Sequence, residues 1–151
     1  MVVNGWTLYT HPLFKEQYLS LKAQVEALRK KDLKGYLRKN ATKRLAAIQR
    51  LIFELIQHDP TSNEFRQGST LGDENKHWFR AKFFQQYRVF FRYHLESKVI
   101  VYAWVNDEKN KRAYGDKTDA YKVFEKMLKS GNPPEDWDDL LKTAKDEMLS
   151  L

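Results

Sequence analysis

Three runs dense in aromatic and β-branched residues, 77–84, 87–94 and 98–105, follow one another with gaps of only two and three residues. Connections that short join antiparallel strands as hairpins and leave no room for a crossover helix. Because side chains alternate along a strand, Phe79, Ala81 and Phe83 share one face, opposite Arg80 and Lys82. The second run sets Val89, Phe91 and Tyr93 against Arg88, Phe90 and Arg92, and the third sets Val99, Val101, Ala103 and Val105 against Ile100, Tyr102 and Trp104. Packing the aliphatic and Phe faces on helices predicts an opposite face carrying Arg80, Lys82, Arg88 and Arg92 beside Phe90, Tyr102 and Trp104. That face is both cationic and aromatic. Residues 75–95 hold Lys76, Arg80, Lys82, Arg88 and Arg92 among eight aromatics, without one Asp or Glu. Cations neutralise phosphates and gain affinity from released counterions, while aromatic faces accept unstacked bases, each worth about 1–3 kcal/mol.

The segments around these strands read as helices. Residues 6–9 form a short β-favouring run that stops at His11-Pro12, since proline suits the first turn of a helix. Phe14, Tyr18, Leu21, Val25 and Leu28 then recur at steps of four and three, and after a turn at 31–35 so do Leu37, Ala41, Leu45, Ile48, Ile52 and Leu55. The spacing predicts two helices packed as an antiparallel hairpin. Residues 60–75 are loop, rich in Ser, Thr, Asn, Gly and Asp. Thr118 is expected to cap a helix bearing Tyr121, Phe124 and Leu128, which Gly131 ends, and Trp137, Leu141, Ala144 and Met148 stripe a final helix. At 151 residues the chain is expected to form one domain, 1–151, with 131–151 as an acidic helical extension.

Charge points to a polyanionic partner. The chain carries +7, and its last 21 residues hold six acids against two lysines, a net −4 that leaves residues 1–130 at +11. Cysteine is absent, which excludes thiolate chemistry. His11, His58, His77 and His94 are scattered and form no ligand pair, so no metal or other cofactor is expected. With no basic, apolar leader and no run of about 18 apolar residues, the expectation is a soluble cytoplasmic protein that does not meet a membrane.

Such a face suits RNA cleavage, because RNA carries its own nucleophile in the 2′-hydroxyl. An enzyme then has only to align the sugar with phosphorus and stabilise the added charge. Arginine fits that role, since its planar fork reaches two phosphate oxygens and stays protonated. Lys82 could neutralise the phosphate, or act as base if Arg80 and Arg88 crowd its charge, and Tyr114 or Arg112 could protonate the leaving 5′-oxygen or hold a base. Lys76, Arg92, Tyr102 and Trp104 are the further RNA contacts expected. The bland alternative is a solvated outer sheet face whose aromatics are covered by the Trp137 helix.

The sequence also resembles a known family. VNGW at 3–6, FRQGSTLG at 65–72, HWFRAKF at 77–83, YRVFFRY at 87–93, WVNDE at 104–108 and RAYGDKTDAYKVFEKMLKSGNPPEDW at 112–137 are similar to the YhaV toxins, a branch of the RelE/ParE superfamily of type II toxin-antitoxin systems. The resemblance implies an α+β, RelE-like fold: an N-terminal helical hairpin packed on a small antiparallel sheet, with C-terminal helices. It implies a metal-independent endoribonuclease that cuts mRNA, free or on the ribosome, and a hetero-oligomer with an AbrB-like antitoxin of the PrlF type. The positions matching the superfamily's basic residues are Arg80, Lys82 and Arg88, with Arg112 and Tyr114 closest to its C-terminal assistant. Two other readings stand beside it, a gyrase-inhibiting toxin of the ParE kind and a non-catalytic RNA-binding module.

Overall fold

The computed structural model describes residues 1–68, 70–113 and 116–145, which build an α+β fold of five strands and four helices. Strand β1 (Val2–Val3) turns through Asn4 and Gly5, both at positive φ, into β2 (Trp6–Thr10), whose side chains alternate between buried and half-buried. Helix α1 (Pro12–Lys31) starts where proline occupies the first turn and the His11 ring accepts from the Leu13 amide at 3.1 Å. It buries Phe14, Tyr18, Leu21 and Val25, as their spacing predicts.

Helix α2 (Asn40–Arg50) begins later than the apolar periodicity suggests. Leu37 lies in a short 3₁₀ turn and is exposed. At its other end α2 runs into one π-helical turn, Leu51–Leu55, closed by the Ile56 amide on the Leu51 carbonyl at 2.9 Å. The wider turn rotates the buried stripe: Ile52 and Ile56 are sealed in the core, whereas Leu55, expected on that stripe, is 44% exposed. The α1–α2 pair thus follows two strands rather than opening the chain.

Strands β3 (Phe79–Phe83), β4 (Tyr87–His94) and β5 (Val99–Val105) form the expected meander, antiparallel throughout. The sheet order is β1-β2-β5-β4-β3, with β2 parallel to β5, so the sheet is mixed and not the antiparallel one expected. The parallel pair arises because the chain leaves β2, crosses through α1 and α2, and re-enters at the far edge. One irregularity matters for everything built on alternation. Phe90 pairs with Trp104 but Phe91 pairs with Tyr102, so β5 carries an extra residue, Ala103.

Both faces of the sheet are covered. One packs Phe79, Ala81, Phe83, Val89, Phe91, Ile100 and Tyr102 on α1 and α2. The other lies beneath α3 (Ala120–Lys129) and α4 (Trp137–Lys145), with Trp78, Phe90, Val101, Trp104, Phe124 and Leu140 in a second core. Phe124 stacks on Phe90 at 4.3 Å and on Trp104 at 5.7 Å between ring centroids. The open cationic and aromatic face expected from alternation is therefore a buried one over most of its area. Asp119, not Thr118, caps α3 by accepting from the Tyr121 amide at 3.1 Å, and Thr118 is tied to Asp116 instead. Gly131 ends that helix at φ 84. In α4, Leu140 and Ala144 are the buried positions, and Met148 lies outside the described residues. No helix among the described residues is long and apolar enough to cross a membrane.

Candidate active site

The β3–β4 register sets Lys82 opposite Arg88 and Arg80 opposite Phe90, so the three share one corner of the sheet, from which Arg80 and Arg88 reach the start of α3. Tyr121, in the first turn of α3, meets them there. Its hydroxyl accepts from Arg80 Nε at 2.9 Å and from Arg88 Nε at 3.1 Å, while its ring lies 4.5 Å beneath the Arg112 guanidinium carbon. A single phenol thus gathers three arginines.

Each guanidinium is further fixed. Arg88, only 4% exposed, donates from Nη1 to the carbonyls of Gln85 at 2.6 Å and Tyr87 at 2.9 Å. Arg80 donates from Nη1 to the Glu64 carbonyl at 2.7 Å. Arg112 is paired with Asp119 at 2.5 Å. Asp119 is itself buried and also accepts from the Ala113 amide, so one carboxylate ties the 106–113 segment, the α3 start and Arg112 together. Carbonyls and a phenol satisfy the two arginines without neutralising them, and the assigned bonds use only Nε and Nη1 of Arg80 and Arg88. Among the described residues no bond from either Nη2 is seen, and Tyr121 already accepts twice, so its O–H can only donate. Lys82 stands exposed beside them.

A cleft of about 800 Å³ opens next to this corner, between the π-helical end of α2 and the edge strand β3, and Arg80 and Lys82 form part of its wall. Arg80 and Lys82 are therefore reachable from the cleft, while Arg88 and Tyr121 lie buried behind them.

The structure brings Arg80, Lys82, Arg88 and Arg112 together. Tyr114, expected beside Arg112, lies outside the described residues. The four expected RNA contacts fall elsewhere. The β5 bulge sends Tyr102 to the α1–α2 face, wholly buried with its hydroxyl donating to the Ile52 carbonyl at 2.8 Å, where burial raises its pKa well above 10. Trp104 is buried under Phe124. Arg92 is held between Trp78 at 5.5 Å and Trp137 at 5.2 Å, with Nη1 on the Glu135 carbonyl at 2.6 Å, and burial lowers its pKa. It fastens the entry of α4 to the sheet. Lys76 is exposed in the turn before β3, 3.5 Å from Asp73. Sequence reasoning missed Tyr121 and Asp119. Helical spacing marks Tyr121 as core, and nothing in the local pattern sets its hydroxyl apart as an acceptor for arginines. Among the described residues, no group of three or more His, Asp or Glu side chains is arranged to hold a metal ion.

Fold and site together describe a small, basic α+β protein with a preorganised guanidinium cluster suited to a phosphate. A family model described as a toxin with endonuclease activity, of a toxin-antitoxin system, matches residues 8–145, and the chain belongs to this YhaV toxin family. Toxin YhaV of Escherichia coli O6:H1 is 54% identical over 140 residues, 91% of each chain. The ribonuclease toxin YhaV of Escherichia coli strain K12 is 51% identical over 146 residues, 95% of each chain. No solved structure matches the chain.

Proposed function

We propose that this protein is the toxin of a type II toxin-antitoxin system and an endoribonuclease that cuts mRNA by attack of the 2′-hydroxyl on the adjacent phosphorus, without a metal. The single observation that carries the reading is the sharing of Tyr121 by Arg80, Arg88 and Arg112. Side chains held by a common acceptor are oriented before substrate arrives, so they stabilise the phosphorane without reorganising. Arg88 acts from beneath and Arg80 from the cleft side, on nonbridging oxygens. Lys82, exposed and directly across from Arg88, adds charge at the cleft wall or takes up the 2′-hydroxyl proton. Arg112 and Tyr114 serve the leaving 5′-oxygen. The products are a 2′,3′-cyclic phosphate and a 5′-hydroxyl.

Residues 1–151 form one RelE-like domain in this reading, with 131–151 as its helical extension. The support is that both cores share one sheet. The partner is an antitoxin of the AbrB-like, PrlF type, bringing acidic or apolar segments to the cleft, since covering unpaired cations with neutral surface costs several kcal/mol. The toxin works in the cytoplasm, on mRNA free or ribosome-bound. Membership in a family with endonuclease activity favours this over gyrase inhibition or passive RNA binding. Purified Arg80→Ala and Arg88→Ala proteins test it: each should cleave RNA about 10²–10³-fold more slowly than wild type. Wild-type rates in both would refute the assignment, and blocked supercoiling with intact transcripts would select the gyrase reading.

A further inference from the structure

The cleft beside Arg80 and Lys82 is more than an approach route. Its floor is apolar, from Leu51, Leu55 and Phe65. Its rim carries His58, Asn63 and Glu54, all exposed, whose ring nitrogens, amide and carboxylate supply hydrogen-bond donors and acceptors. The π-helical turn creates it. An α-helix continued through 51–55 would carry Leu55 into the core stripe, whereas the extra residue per turn buries Ile56 and turns Leu55 and Glu54 outward. Single π turns inside α-helices recur at functional sites. An apolar floor, a polar rim and cations along one wall match a nucleotide: flat base, hydrogen-bonding edge, anionic phosphate. The volume, about 800 Å³, lies within the range of about 300–1,000 Å³ usual for small-ligand pockets.

We propose that this cleft recognises the base of the nucleotide flanking the scissile phosphate, resting the ring on Leu51 and Leu55 while Glu54, His58 and Asn63 read its edge and Arg80 and Lys82 hold the phosphate. The inference rests on the ribonuclease reading and makes the cleft the source of cleavage-sequence preference. Because the base is held by one wall and the phosphate by the other, changes on the rim alter which sites are cut before they alter the chemistry at a cut site.

The test is to map the 5′ ends left in a mixed-sequence transcript pool by purified wild type, His58→Ala, Asn63→Ala and Leu55→Arg. Leu55 and His58 are exposed, so these variants are expected to fold, which melting curves check. Wild type should show a base preference at a position next to the cut, and the rim variants should weaken or change it by roughly 5- to 150-fold at that position alone. Leu55→Arg, which fills the floor, should do the same. Identical preference in all four proteins would overturn the base pocket while leaving the ribonuclease intact. No new ends from wild type, either alone or with ribosomes added, would overturn the ribonuclease reading itself. An unchanged cleavage map in Leu55→Arg, combined with escape from the antitoxin, would assign the cleft to the protein partner and refute the proposal.

Discussion

Tyr121→Phe removes one oxygen and leaves the ring, so it isolates the contact on which the site depends. The ring's packing edge-on to Phe90 and its place under Arg112 survive the change. Lost are the acceptors for Arg80 Nε and Arg88 Nε. Arg80 is half-exposed and can turn to water, which makes its loss small. Arg88 is 4% exposed and keeps its two carbonyl partners, but its Nε is left buried without an acceptor, a cost of about 1–3 kcal/mol. For a domain of this size each kcal/mol lowers Tm by about 2–4 °C. The guanidiniums remain but lose their common anchor. Removing a charge-stabilising donor outright costs about 10²–10³ in rate, so loosening two should lower kcat by about 10–100-fold, with KM changing less because Lys82 and the rest of the cleft lining are untouched. Single-turnover cleavage of an RNA oligonucleotide, read beside thermal melting, measures both. A full drop in Tm with a rate constant within about twofold of wild type would show that Tyr121 only packs. An unchanged Tm would contradict the hydrogen bonds themselves.

Three further outcomes are expected. Asp119→Asn should destabilise the fold by about 2–4 kcal/mol and slow cleavage, because the buried carboxylate caps α3 and pairs with Arg112; chemical denaturation and the same cleavage assay check it. Arg92→Ala should lower stability by about 1–3 kcal/mol through loss of both tryptophan contacts and the Glu135 bond, with the Trp137 fluorescence environment changing as α4 loosens. Burial lowers the pKa of His11, and that of His77 with help from Arg92, below the ordinary 6.5, so the unfolded chain binds more protons between the folded value and 6.5. Their contribution is complete above pH 6.5 and is lost as pH falls through the folded values. His11→Asn, which keeps an acceptor for the Leu13 amide, should flatten part of that slope in denaturation measured from about pH 7 down to about pH 5.

Much of this architecture is legible in local pattern. Period-two alternation and aromatic density place β4 at residues 87–94, where it is found, and the stripe from Phe14 to Val25 marks the buried side of α1. What escapes is whatever breaks the period. One inserted residue at Ala103 reverses the facing of Tyr102 relative to Trp104, and one π turn swaps Leu55 for Ile56 in the core. Such insertions are settled by pairing and packing across the whole sheet and leave no mark in a window of a few residues. The coverage of the second sheet face by α3 and α4 is of the same kind: the stripe of Phe124 and Leu128 announces a buried side without saying what buries it. The cations of the site were legible because arginines and lysines on paired strands without acids are a compositional signal. Tyr121 was not, since a phenol that packs its ring and lends its oxygen looks like any aromatic on a helical stripe.

If guanidinium groups, and not a bound metal, drive attack by RNA's own 2′-hydroxyl, the protein must cut without divalent ions and leave the ends that this attack produces. Incubating the purified protein with an RNA oligonucleotide in excess chelator and analysing the termini reads both properties at once. Undiminished cutting is expected, with 2′,3′-cyclic phosphate and 5′-hydroxyl ends that disappear when a 2′-deoxy residue precedes the cleaved bond. Ends carrying 5′-phosphate and 3′-hydroxyl, or cleavage abolished by the chelator, would contradict the guanidinium mechanism.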